Sequence, residues 1–155
     1  MLDNIIEDSK FAHLMQNNIQ DLIIYMFERE QNFGILCKIE DVLFEPELPL
    51  EIHSEFRPMT LFFLAGYTFE TARIVDDNII FEAGFGTDNI GSIVTVPLLS
   101  IMQIIIDETP VLINLANKTK LEKANHDIKK VDESGVENSM ASFLSNPENA
   151  KFLKK

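Results

Sequence analysis

Between residues 11 and 27 the apolar positions fall at three- and four-residue steps: Phe11, Leu14, Met15, Ile19, Leu22, Ile23, Met26 and Phe27. That spacing predicts an amphipathic helix. Asp8 or Ser9 suits its start, and Gly34 stands just past its expected end. Ile24 and Tyr25 widen the apolar stripe beyond what one sheet face normally covers. Two readings fit that width: a helix meeting a core and a second subunit together, or a broad buried face within one chain.

From Gly34 the texture changes to short apolar runs between Pro, Asp and Asn breaks. Residues 35–39 read as a strand, which 42–44 would extend past a bulge. Pro46 and Pro49 punctuate the chain, after which Leu50, Ile52 and Phe56 alternate with polar residues as in a strand. Residues 60–69, with Leu61-Phe62-Phe63-Leu64, suit either a buried strand or a helical turn. Residues 72–75 and 79–83 flank Asp76-Asp77-Asn78, a tight hairpin signal. Residues 84–91 read as a loop and 92–96 as a β-branched strand. Pro97 is placed to open a short helix over 98–104, and 111–115 complete the pattern as a last strand.

Composition sharpens this picture. Of the 155 residues 46% are apolar, enough for a sizeable core. The longest apolar stretch, residues 94–106, is broken by Thr95, Pro97, Ser100 and Gln103 and is too short to span a bilayer. The start, Met1-Leu2-Asp3-Asn4, lacks the basic opening of a signal peptide. The single cysteine, Cys37, has no internal disulfide partner. These features predict a soluble protein in a reducing, cytoplasmic setting.

The net charge of −12 is unevenly spread. Eight of the thirteen basic residues and six of the twenty-five acidic ones lie from Lys118 onward, leaving residues 1–117 at −14. A body that acidic repels phosphate backbones, which argues against nucleic acid as a partner. The charge boundary also divides a folded domain, 1–116, from a flexible or weakly helical tail, 117–155. That tail is not polar throughout, because Met140, Phe143 and Leu144 recur and Phe152-Leu153-Lys154-Lys155 is an apolar–basic segment. It reads as a docking peptide or as a helix end folded back on the body.

Sites of chemistry are sparse. Gly84-Phe85-Gly86 followed by Gly91 has the spacing GxGxxxxG, with no Lys-Ser/Thr after it and a strand rather than a helix next. The glycines therefore fit a tight turn better than a phosphate loop. His13, His53 and His126 fall on three separate elements and have no neighbouring acid or thiol to complete a triad or metal set. Cys37 alternates with Ile35 and Ile39 as a small buried residue would. Glu70, after an apolar run, is the one carboxylate with a general-base reading beside its plain reading as a rim residue.

From residue 79 onward a family likeness is visible. Phe81-Glu82-Ala83-Gly84-Phe85-Gly86, then Val94-Thr95-Val96-Pro97-Leu98 and Ile101, resembles the SspB (stringent starvation protein B) family. The pattern there is F-x-A-x-F-G, a loop, then V-x-V-P-L opening a short helix. Asp77-Asn78, Pro49-Leu50-Glu51 and the preceding long helix fall in the same order. Members of that family are adaptors that deliver tagged substrates to the ClpXP protease.

The resemblance implies an α+β fold: an N-terminal helix packed on two small antiparallel sheets, similar to an Sm-like barrel. It implies a homodimer through the helix, with Leu14, Met15, Leu22, Ile23 and Met26 at the interface. A peptide carrying the ribosome-rescue tag would lie near Ala65, Gly66, Phe85, Gly86, Leu98 and Met102. Phe152, Leu153, Lys154 and Lys155 would dock on a ClpX-type unfoldase. No catalysis, cofactor or metal is implied. Two departures stand: the loop over 87–92 is longer than the family's, and the tail is short and mildly basic rather than long and acidic. A rival reading is a hotdog-type acyl-thioester protein, with a central helix over 60–74 and Glu70 as base. Whether residues 61–69 form strand or helix separates the two.

Overall fold

The computed structural model describes residues 1–116. The tail, with His126, Met140, Phe143, Leu144 and the docking residues Phe152, Leu153, Lys154 and Lys155, lies outside the described residues. A short helix α1 (Leu2–Ile6), which the apolar pattern does not announce, precedes the expected long helix α2 (Ser9–Glu28). Asp8 is the N-cap, its carboxylate accepting from the Lys10 N–H at 3.0 Å. The C-terminal stop is Glu30 rather than Gly34. Glu30 takes a left-handed φ of 53°, its N–H donates to the Phe27 carbonyl, and the Gln31 N–H donates to the Met26 carbonyl. That pair of bonds closes a helix end and needs only one left-handed residue. Gly34 belongs instead to the following strand, where a Cβ would lie 3.1 Å from Leu61 Cδ1.

Two antiparallel four-stranded sheets follow. The first is ordered β3 (Met59–Leu64), β1 (Phe33–Lys38), β7 (Ile101–Ile106), β8 (Thr109–Ile113). The second is ordered β2 (Leu43–Glu45), β6 (Ile90–Pro97), β5 (Asn78–Phe85), β4 (Arg73–Val75). The α+β architecture expected from the sequence, one long helix and two small antiparallel sheets, is present.

The core faces of the sheets carry cross-strand rows of apolar side chains. Phe62, Ile35 and Ile104 align on the first sheet, and Phe44, Val94 and Phe81 on the second, all of them buried. Helix α2 packs against the 3-10 turn Leu98–Ser100 and buries Ala12, Ile19, Ile23 and Met26. Asn114 ties the end of β8 to the same turn. Its Nδ2 donates to the carbonyls of Leu99 and Ile101 at 3.0 and 2.9 Å, and its Oδ1 accepts from the Ala116 N–H at 2.8 Å. No described buried side-chain polar atom lacks a partner, as a dry interior requires.

Several local expectations are corrected. Residues 98–104 are not one helix, since a single 3-10 turn gives way to strand β7. Four of the six residues of β7 are β-branched isoleucines, and their backbone groups are taken by β1 and β8. Residues 50–56 are not a strand either. Leu50–His53 form one helical turn (α3), in which the amides of Ile52 and His53 donate to the Pro49 carbonyl. The segment 42–44 does not extend β1 past a bulge; a 3-10 turn, Ile39–Asp41, redirects it into the other sheet as β2. Residues 60–69 resolve into strand β3 and a separate five-residue helix α4 (Tyr67–Thr71). No central helix over 60–74 exists, so the structural premise of the acyl-thioester reading fails.

The hairpin at Asp76-Asp77 is as expected. Both residues have left-handed φ (48° and 64°) and Val75 pairs with Asn78. Asp107 and Glu108 repeat this geometry between β7 and β8.

Cys37 is fully buried on β1, its Sγ–H donating to the Thr60 carbonyl at 3.5 Å. Burial, and secondarily the charge of Asp41, push its thiol up to about 12. With an unfolded value near 9, the thiolate fraction at pH 8 is roughly a thousandfold smaller in the folded state. A chromogenic disulfide reagent at pH 8 is therefore expected to label Cys37 at the rate of global opening, and rapidly in denaturant. The folded state holds this proton more tightly, so stability falls as pH rises from about 9 toward 12. Fast labelling under native conditions would contradict this environment.

Candidate functional site

A cleft of about 670 Å³ opens on the outer face of the second sheet, near the tip of the β5–β6 hairpin. Its floor follows from strand register. Glu45, Ile93 and Glu82 form one row across β2, β6 and β5, and Gly91 pairs directly with Gly84 in the next row of β6 and β5. The expected loop over 84–91 is thus shorter than predicted, with strands running to Phe85 and from Ile90 around a turn over 86–89. Gly86 and Asn89 carry left-handed φ values of 74° and 49° there.

Of the paired glycines, Gly91 leaves its part of the floor open, while the Asn89 side chain lies over Gly84. A Cβ on Gly84 would collide with the side-chain amide of Asn89, whereas a Cβ on Gly91 would meet nothing within 4 Å. Strand glycines of this kind admit the close approach of another backbone or a ligand.

Two walls come from distant sequence. Glu45 and Pro46 form one, held by the Ser92 hydroxyl, which donates to the Pro46 carbonyl at 2.9 Å. Ala65, Tyr67 and Thr68 form the other. Gly66 turns the chain from β3 into α4 at φ 59°, ψ −129°, a conformation that side chains disfavour. Thr71 Oγ1 accepts from the Glu82 N–H at 3.0 Å, and the Tyr67 hydroxyl donates to Glu82 Oε2 at 2.9 Å. The Tyr67 phenol is held above its ordinary value because it donates to Glu82 and because ionisation would set a second anion beside that carboxylate. β4 pairs with β5 only over Asn78–Ile80, so beyond Ile80 that edge of β5 has no strand partner among the described residues.

The expected groove residues separate into three groups. Ala65 lines the cleft, and Gly66 shapes its wall. Phe85 and Gly86 lie at the hairpin tip, but Phe85 turns inward. Its ring packs on Phe44, Phe56 and Phe62 at centroid distances of 5.6, 5.8 and 6.3 Å. Leu98 is a correction: it is 0% exposed in the 3-10 turn under α2 and offers no surface to a peptide. Met102 sits half-buried on β7, in the other sheet.

The dimer residues divide too. Ile23 and Met26 are buried in the chain's own core, so their side chains are not available to a second subunit. Leu14 is 58% exposed, and Met15 and Leu22 are half-buried. Tyr25, at 51%, is also exposed on α2.

The sequence reading did not pick out Tyr67, Glu82, Glu45, Asn89 or Ile93. One signal was present: Gly84 and Gly91 are equidistant from Thr87-Asp88, as a pair flanking a hairpin turn would be. Neither wall has a comparable local signature. Among the other candidates, Glu70 and His13 are exposed, and the exposed His53 stacks edge-on against Phe44 and Phe56. No group of three His, Cys, Asp or Glu suited to a metal occurs among the described residues. No helix among them is long and apolar enough to cross a membrane. The sequence matches no protein-family model and no curated protein.

Proposed function

We propose that the protein is a non-enzymatic, homodimeric adaptor that binds tagged peptides in the cleft and delivers their carriers to a ClpXP-type protease. One observation carries the peptide reading: the cleft has a floor of open backbone at Gly91, beside an edge of β5 with no strand next to it among the described residues. An extended peptide can approach such a floor closely and pair with that edge beyond Glu82, whose own N–H is taken by Thr71 Oγ1. The motif around Phe81 and Val94, similar to that of the SspB family, supports the choice of a ribosome-rescue tag. A second copy would meet the side of α2 that keeps exposed surface, Leu14 with Met15 and Leu22, and not Ile23 or Met26.

The tail's part is tethering. Contacts of micromolar strength at each end suffice when a linker raises the local concentration of substrate at the unfoldase. Purified protein is expected to bind a fluorescent rescue-tag peptide saturably, with Kd below roughly 100 μM, or about −5.5 kcal/mol. Absence of saturable binding in that range overturns the reading. Deleting Phe152, Leu153, Lys154 and Lys155 is expected to abolish delivery to the unfoldase and leave peptide binding intact. Equal loss of both would assign those residues to the folded body.

A further inference from the structure

We infer that Asn89 binds the peptide main chain: its carboxamide pairs with one peptide unit above Gly84, so the cleft takes an extended segment with no proline at that position. This rests on the peptide-groove reading above. Gly84 lies on β5 between Gly91 of β6 and the open edge of the sheet. Asn89 Cγ and Nδ2 lie 2.6 and 3.2 Å from the point where a Gly84 Cβ would stand. The carboxamide therefore takes the place of the missing side chain, between floor and edge, and a peptide using both surfaces passes it. The turn holds it there. Asn89 has a left-handed φ of 49°, and its N–H donates to the Gly86 carbonyl at 3.1 Å. Asparagine is one of the few residues with a side chain that enter this region readily.

Two observations point to a main-chain ligand. The first is the state of the polar groups in the cleft. The Tyr67 hydroxyl is committed to Glu82 and the Ser92 hydroxyl to the Pro46 carbonyl. The Asn89 carboxamide lines the same cleft and makes no hydrogen bond to another described residue. It offers one carbonyl acceptor and two N–H donors, which match the N–H and C=O of a peptide unit. The second is the backbone beside it. Glu82 directs its N–H to Thr71 Oγ1 and not to β6. Alternation along an antiparallel ladder turns the N–H and C=O of Gly84 to that same side, where no described strand pairs with them. A peptide strand there meets a main-chain pair at Gly84 and a carboxamide above it. Neither reads a side chain, and both need an extended backbone with its N–H present, which proline lacks.

The test uses the full chain, a fluorescent rescue-tag peptide, and a series of that peptide with one N-methylated residue at each position in turn. Asn89→Gly removes the carboxamide and accepts the left-handed φ. It is expected to weaken binding of the unmodified peptide about tenfold, as the loss of two hydrogen bonds would. Asn89→Asp, which keeps an acceptor but not the N–H donors, should weaken it as well. In the unsubstituted protein, N-methylation at the contacted position should cost about tenfold. The same methyl group should cost little more in Asn89→Gly, where that contact is already gone. Binding as tight or tighter in Asn89→Gly overturns the proposal, because the carboxamide would then only cover Gly84. Equal N-methyl costs in both proteins at every position also overturn it, because Asn89 would then act on a side chain or through the turn. If the unmodified peptide does not bind the unsubstituted protein, the groove reading itself falls.

Discussion

Phe62→Ala is expected to lower the unfolding free energy by about 3–5 kcal/mol, the usual range for deleting a buried phenyl ring. Phe62 is 6% exposed on β3 of the first sheet, yet its ring meets rings of the second. Phe81 lies at 5.7 Å, Phe85 at 6.3 Å and Phe44 at 6.4 Å between centroids, with Phe56 at 6.2 Å. Removing it opens a cavity at the junction of the two sheets and withdraws four ring contacts together. Domains of this size are stable by only about 5–15 kcal/mol, so this single change takes a large share. The melting temperature should fall by roughly 12–20 °C, at about 4 °C per kcal/mol. The neighbouring residue is the control. Phe63 is 60% exposed on the opposite face of the same strand, and Phe63→Ala should cost less than about 1 kcal/mol. Similar losses in the two variants, measured by denaturant unfolding with unchanged m-values, would contradict the assignment of faces.

The second large effect concerns binding. Gly91→Phe is expected to weaken rescue-tag peptide binding at least a hundredfold, about 2.8 kcal/mol, with the melting temperature unchanged or slightly raised. Gly91 does not have a positive φ, and a Cβ there meets nothing within 4 Å, so a side chain can start into the cleft without backbone strain or a clash at its Cβ. A glycine in a strand is also a weak point that an aromatic residue strengthens. Gly84→Ala behaves differently although the two glycines are paired. Its Cβ collides with the Asn89 side chain, and Asn89 holds the left-handed turn position at φ 49°. That substitution should lower stability, with any binding loss following from a displaced turn. Undiminished peptide binding in Gly91→Phe would remove the cleft from the function.

Much of this fold was legible from local pattern. Helix α2 follows from its 3.6-residue period and from Asp8, and the β4–β5 hairpin from Asp76-Asp77-Asn78. Local reading failed where a neighbour overruled a local cue. Pro97 is a good helix opener, but the isoleucines after it were claimed by β1 and β8. Leu50, Ile52 and Phe56 alternate as in a strand, yet Pro49 starts a helical turn and neither sheet of the described residues takes the segment in. The wide stripe on α2 left a monomer and a dimer reading open. Burial places Ile23 and Met26 in the chain's own core, while Leu14 and Tyr25 keep an exposed edge.

The cleft shows the same limit more sharply. Its glycines stand out in the sequence but suit a loop as well as a strand, because a turn and a paired strand end use the same residue type. What makes them a floor is the register that sets Gly84 opposite Gly91, and what makes the floor a cleft are walls contributed from residues 45–46 and 65–68.

Local pattern and composition specify the helix and its cap, several of the apolar strands, the turn at Asp76-Asp77 and the acidic body, whereas the α+β class comes from the family resemblance. The helix, strands, turn and charge each depend on interactions within a few residues or on composition alone. That Glu45 and Glu82 flank Ile93, that Tyr67 steadies Glu82, and that Leu98 lies in the core follows from the folded chain alone. The relations among Glu45, Tyr67, Glu82 and Ile93 join positions 11 to 48 residues apart, and strand register and burial, which no short window of sequence contains, bring them together.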